Sequence, residues 1–177
     1  MGPWGSAVLA REDQAVIGDA AIPATLRLFV DQLLNDRSFP SLLAEAIAEL
    51  RLVRVSVGVL DAQHIGLVLM VLHGEGATDM PDGYVLPRRA EGAWKAVVSG
   101  LPVFGSTEPT EGFLLEDVLL SREGVERYLC LPLRVRGVVR GTLNLGIRGH
   151  DSLPHDAPHR LSPLLSIVES HLATLAT

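Results

Sequence analysis

The sequence predicts an α+β fold in which a central antiparallel sheet carries terminal helices on one face, and crossover loops with a short helix on the other. Three observations predict it. Apolar residues recur at helical spacing near both ends of the chain. Two segments between them alternate strictly, each followed by a turn and a second strand. The stretch joining these two hairpins is rich in glycine and proline.

The chain opens on residues 1–22, which are weakly patterned and read as a tail preceding a domain over 23–177. Pro23 sets the start of a helix from Ala24 to Leu34, because its missing N–H is not needed there. Leu26, Phe29, Val30 and Leu33 form its apolar stripe. A second helix runs from Pro40 to Leu50, with Ser38 or Ser41 as its cap and Leu42, Leu43, Ala46, Ile47 and Leu50 as its buried face. From Leu52 to Leu60 the period becomes two, and Val53, Val55, Val57 and Val59 share one side. Asp61 to His64 is a turn. Ile65 to Leu72 is almost wholly apolar, as a strand covered on both faces must be.

The middle, from His73 to Gly124, is irregular, with one helix predicted from Glu91 to Ser99 and ended by Gly100. Glu126 to Val135 and Val138 to Ile147 then alternate around the tight turn Arg136-Gly137. In the closing helix Leu161, Leu165, Val168, Leu172 and Leu175 are spaced four and three apart. Such a stripe is either a coiled-coil seam between two copies or the face that packs on the chain's own sheet.

Composition narrows the function. At 177 residues and 47% hydrophobic, the chain suits one domain with a sizeable core. A net charge of −6, with scattered basic residues, gives no electrostatic footprint for nucleic acid or for an anionic membrane. No apolar run reaches the roughly 20 residues that span a bilayer. With no signal-peptide pattern either, the expected location is the cytoplasm. The single cysteine, Cys130, excludes a disulfide framework and a cysteine-rich zinc site. Nucleophile-elbow, phosphate-loop and zinc-protease motifs are absent, so no enzymatic activity is expected.

Several segments carry a family pattern. Ser121 to Gly137, with Pro132-Leu133 inside an apolar strand and a glycine closing it, resembles the penultimate strand of a GAF domain. Gly141-Thr142-Leu143-Asn144-Leu145 resembles that family's last long strand. Ser56 to Asp61 resembles its first central strand, and Ser99-Gly100-Leu101-Pro102-Val103 its Gly-x-Pro-Val segment. The resemblance covers about residues 24–176. It implies a GAF/PAS-like architecture and a sensory role in signal transduction or transcription control, with a ligand held between sheet and crossover loops. It also implies terminal helices that make a homodimer. Any effector lies outside these residues, and no cofactor is named.

Alternation supplies the pocket candidates. Ser56, Tyr128, Cys130, Arg134, Thr142 and Asn144 fall on the face opposite the valine and leucine rows. The crossover adds Trp94, Phe104 and Phe113. Apolar walls with a few placed polar groups suit an unidentified small molecule. The same residues also suit an ordinary sheet face whose hydroxyls are satisfied locally. A ligand-free dimerisation or scaffold module is therefore the alternative.

Other ligand chemistries meet obstacles. Cys130 is either an inert buried thiol or a redox-sensitive one. His150, His155 and His159 cluster either as a solvated loop or, with His155 and His159 one helical turn apart, as a pair that shares a metal; His64 and His73 flank a strand and are haem-ligand types with nothing nearby to support that role. Bilin-carrying GAF domains hold the pigment on a crossover cysteine beside a histidine, whereas Cys130 sits in a strand between leucines. The Asn-Lys motif of cyclic-nucleotide binders has only Asn35-Asp36-Arg37-Ser38-Phe39 as its nearest match, without the lysine. GAF-type methionine sulfoxide reductases use several cysteines, and one thiol cannot resolve its own sulfenic acid.

Overall fold

A computed structural model describes residues 22–61, 66–74, 78–88, 92–109, 115–149 and 153–175. Helix α1 spans Ala24–Leu34 and buries Leu26, Phe29, Val30 and Leu33, the stripe that the spacing predicts. Helix α2 spans Phe39–Leu50. Ser38 holds its N-cap position, but the serine side chain makes no capping bond. The Oδ1 atom of Asp36 accepts hydrogen bonds from the Ser38 N–H at 2.8 Å and the Phe39 N–H at 3.1 Å. Arg51 (φ 56°) then takes the left-handed turn that releases the chain into β1.

Strands β1 (Leu52–Leu60) and β2 (Gly66–Gly74) form the first hairpin. Strand β3 (Val85–Pro87) follows, then helix α3 (Gly92–Ser99), strand β4 (Val103–Ser106) and helix α4 (Leu115–Arg122). Strands β5 (Arg127–Val135) and β6 (Val138–Ile147) form the second hairpin. A short helix α5 (Ala157–Arg160) leads into α6 (Ser162–Leu175). The irregular middle therefore holds β3, β4 and α4 as well as the predicted helix. All three are short, and the two strands lie at sheet edges, where a few backbone pairs suffice.

Among the described residues, the six strands make one sheet in the order β3-β2-β1-β6-β5-β4, antiparallel throughout. The two hairpins meet where β1 pairs β6, Val55 opposite Leu145 and Val57 opposite Leu143. That approach is close. A Cβ on Gly141 would lie 2.2 Å from the Gly58 carbonyl oxygen, so only glycine fits there.

One face of the sheet is dry. Val55, Val57, Val59, Leu129, Leu131, Leu133, Leu143, Leu145 and Ile147 pack with α1, α2 and α6 in one core. Leu52 joins this core in place of the expected Val53. A bulge between Leu52 and Arg54 adds a residue to β1 and reverses the alternation at its start. Strand β2 is covered on both faces: Val68 and Met70 join the helix-side core, and Leu67 and Leu69 the opposite side.

The closing stripe is rotated from its predicted setting. Leu161, Leu164, Val168 and Leu172 are buried in the chain's own core, while Leu165 and Leu175 are half-buried. Val168 and Leu172 are thus not free to serve as a seam between copies.

Helix α6 is also tied to the turn between α1 and α2. His171 Nε2 lies 2.8 Å from Asp36 Oδ2. The hydrogen bond to His171, then those from Ser38 and Phe39, hold the Asp36 carboxyl below its ordinary 3.8. A carboxyl depressed in the folded state stabilises above its unfolded value and loses that contribution as pH falls. Asp36→Asn is therefore expected to lower stability at pH 7. The gap to wild type should close as pH drops below 3.8, as followed by urea unfolding across pH.

Candidate functional site

The face opposite α1, α2 and α6 is polar at its centre. Arg54 and Ser56 on β1, Tyr128 and Cys130 on β5, and Asn144 on β6 lie side by side there, with Ser56 opposite Asn144 and Asn144 opposite Cys130. Over them close the segment 78–88, helix α3 and helix α4. They leave a cavity of about 80 Å³. Its floor includes Arg54, Ser56, Tyr128, Cys130 and Asn144, and its walls include Met80, Leu86, Trp94, Glu116, Asp117 and Leu120. One water needs roughly 10–15 Å³ on this scale, so the space admits several waters or the body of a small molecule.

Each wall has a fastening. The Trp94 indole N–H donates to the Leu86 carbonyl at 3.1 Å, and the Arg88 guanidinium lies 5.4 Å from the Trp94 ring centroid. This joins α3 to β3. Tyr128 lies flat across β4 because residue 105 is glycine; a Cβ there would meet the phenol ring at 2.2 Å. Thr107 donates to the Val125 carbonyl at 2.7 Å and holds the end of β4 against the entry to β5.

The strongest fastening is ionic. Arg54 pairs with Glu123 just beyond α4, the two side chains being 5% and 7% exposed. Arg54 also donates to Thr78 Oγ1 at 2.9 Å and to the Met80 carbonyl at 3.0 Å. Glu123 accepts in addition from the Asp79 N–H at 3.0 Å. One buried ion pair therefore joins β1, the 78–88 segment and the end of α4.

Of the residues singled out in the sequence, Ser56, Trp94, Tyr128, Cys130 and Asn144 line this cavity. Three others lie elsewhere. Arg134 reaches the protein's edge and donates to the carbonyls of Gly100 at 2.6 Å and Gly137 at 3.2 Å. Its side chain keeps the predicted face of β5, opposite Leu133 and Val135, but lies farther along the strand, beyond the cavity and at the end of α3. Phe104 is 45% exposed and meets the His155 ring edge-on at 6.3 Å. Thr142 is fully buried against Gly58, one row away from the cavity. Phe113 falls outside the described residues, as do His64 and His150. His73 sits in β2 opposite Val55, and His159 in α5. Among the described residues no three His, Cys, Asp or Glu side chains gather as a metal site.

Sequence reasoning missed Arg54, Glu116, Asp117 and Glu123. Arg54 was legible, since a cation two residues before Ser56 in a valine strand belongs on the Ser56 face. The acidic residues were not, because α4 has almost no apolar periodicity.

Cys130 is buried, and burial pushes its thiol up to about 12, with the Asp117 charge adding to the rise. At pH 8 only about one such thiol in ten thousand is ionised, so it is a poor nucleophile.

No family model and no curated protein sequence matches the chain. Solved structures do. The architecture is that of a GAF domain, an antiparallel sheet with helices on one side and a roofed cavity on the other. The GAF domain of a two-component sensor histidine kinase from Bacillus halodurans superposes with a TM-score of 0.58 at 21% identity, covering 79% of this chain and 94% of that one. That of a phosphoenolpyruvate-protein phosphotransferase from Coxiella burnetii gives 0.62 at 16% identity, covering 85% and 91%. The free methionine-R-sulfoxide reductase from Neisseria meningitidis, solved with its substrate, gives 0.58 at 16%, covering 86% and 90%. The chain thus shares its fold with sensory domains and with an enzyme.

Two outcomes follow from the buried groups. Removing one member of the ion pair strands the other, so Glu123→Ala is expected to destabilise by roughly 3–5 kcal/mol in chemical denaturation. The double change Arg54→Met with Glu123→Leu should recover most of that loss. Cys130 should resist iodoacetamide at pH 8 in the native protein and react promptly in denaturant, as read by mass spectrometry.

Proposed function

We propose that this chain is a regulatory GAF domain that senses a small molecule in a cytoplasmic signal-transduction or transcription-control protein. The observation that carries the reading is the roofed cavity, polar at its floor and apolar on most of its walls, on the sheet face opposite the terminal helices. Ligand pockets combine those features. The sensor kinase whose fold it shares uses a domain of this architecture, which favours the same role here.

A path from cavity to helices supports the regulatory part. Helix α3 forms a wall through Trp94, and its terminal Gly100 carbonyl is held by Arg134. The Arg134 backbone N–H in turn donates to Glu169 of α6 at 2.9 Å. A ligand that shifts α3 biases α6 through this link, provided that it binds the two positions unequally. Output through a homodimer fits the outer side of α1, where Leu28 and Leu34 are 54% and 46% exposed.

We assign no catalysis to the chain. The reductase fold-neighbour is an enzyme, but here the one thiol in the cavity stays protonated and has no second cysteine to resolve a sulfenic acid.

A thermal-shift screen against metabolites and cyclic nucleotides tests the sensing role. At least one compound should raise the melting temperature of the wild type and leave Ser56→Leu, which fills the floor, unmoved. A screen without a stabiliser counts against a ligand. Light scattering tests the assembly: the wild type should be a dimer and Leu28→Glu a monomer, and a monomeric wild type removes the dimer.

A further inference from the structure

The charged groups around the cavity are engaged within the chain. Arg54 donates from Nη1 and Nη2 to Glu123, Thr78 and the Met80 carbonyl, and Glu123 balances its charge. Glu116 and Asp117 also interact within the protein. The neutral groups of the floor are therefore the ones that define a guest.

Ser56 on β1 and Asn144 on β6 stand opposite each other in register. Asn144 Nδ2 donates to Ser56 Oγ at 3.4 Å, and Asn144 Oδ1 is buried with no hydrogen-bond partner. Ser56 accepts in this contact, which among the described residues is its one side-chain bond, so its own hydroxyl proton remains to be placed. A half-turn of the amide exchanges the roles. Oδ1 then accepts from the hydroxyl, and Nδ2 keeps its protons for another acceptor. In both settings the pair offers the cavity one donor and one acceptor, side by side. Cys130, opposite Asn144 on β5, adds no charge, since burial keeps its thiol protonated.

From this pairing, and resting on the sensing role proposed above, we infer that the cavity binds a small neutral carboxamide, either a primary amide or a lactam. Such a group carries a C=O acceptor and a cis N–H donor flanking one carbon, the complement of the Ser56–Asn144 pair. Its carbonyl takes the pair's donor, and its N–H meets the buried acceptor. Its aliphatic body lies against Met80, Leu86 and Trp94. A ketone of the same shape leaves the acceptor unmet, and a buried polar atom without a partner is costly. A carboxylate leaves it unmet too, and must shed its water where Arg54 is already engaged. About 80 Å³ is near half of the roughly 150 Å³ apolar cavity that takes up benzene, so the body is a few carbons long.

The test titrates three probes of one shape, butanamide, 2-pentanone and butanoate, at neutral pH and fixed ionic strength. The readouts are the Trp94 indole N–H resonance and the melting temperature. Butanamide should shift both saturably and bind at least about tenfold more tightly than either of the others. The double change Ser56→Ala with Asn144→Ala removes the pair and leaves the space open, so butanamide and 2-pentanone should then bind alike. A wild type that takes 2-pentanone or butanoate as tightly as butanamide overturns the carboxamide and leaves the sensing role standing. An amide preference that survives the double change overturns the pair as its cause. Silence from all three also overturns the carboxamide, and the sensing role then stands or falls with the wider screen. Should the double variant not fold, the butanamide-to-pentanone ratio of the wild type decides alone.

Discussion

A guanidinium inside a protein costs several kcal/mol unless a carboxylate and further acceptors meet it. Arg54 is such a group, and much of the sheet's cavity side is arranged by that requirement. Its partner Glu123 arrives from beyond α4, so α4 must end over β1. Thr78 and the Met80 carbonyl arrive from the segment after β2, so that segment must fold back across the sheet. Both roof elements are short, and α4 has little apolar periodicity of its own. Their placement combines the ion pair with a small apolar cluster of Leu69, Met80 and Leu119. The cavity lies between what Arg54 gathers and what Trp94 holds at α3.

The opposite face works by other means. There the rows of valine and leucine on β1, β5 and β6 meet α1, α2 and α6 with almost no polar intrusion. Burial at roughly 25 cal/mol per Å² makes this the main source of stability. The helix-covered half holds the large core and the roofed half only two small apolar clusters, and the two are joined at points such as Arg134 to Glu169.

Helices α1, α2 and α6 and strands β1, β5 and β6 were legible because each repeats a simple period over nine or more residues, and β2 because it is almost wholly apolar. α1 and β6 have their predicted bounds, Ala24–Leu34 and Val138–Ile147. The errors are as physical as the successes. A bulge at Leu52–Arg54 exchanged Leu52 for Val53, while Arg134 kept its predicted face but lies too far along β5 to reach the cavity. Alternation counts residues and cannot see an inserted one. The Asp36 carboxylate does the capping that a serine hydroxyl was expected to do, because three residues before the first helical residue it reaches two N–H groups at once. The acidic wall of the cavity lay beyond sequence reasoning, since nothing in Leu115–Arg122 announces which way its carboxylates point.

Strand β6 shows in one element how the two halves differ. Leu143, Leu145 and Ile147 on its helix side are buried among hydrocarbon. On its other side Thr142 Oγ1 and Asn144 Oδ1 are buried without hydrogen-bond partners. Each such atom costs about 1–3 kcal/mol relative to a satisfied one. Valine at 142 and leucine at 144 would relieve the cost while keeping the alternation. The chain instead carries polar groups where its own packing rewards apolar ones. Asn144 faces the cavity, where a donor from outside can meet its oxygen. Thr142 faces Gly58 and has no such outlet. Unspent hydrogen-bonding capacity is therefore a guide to function only where it opens onto space, and on this strand Asn144 alone meets that condition.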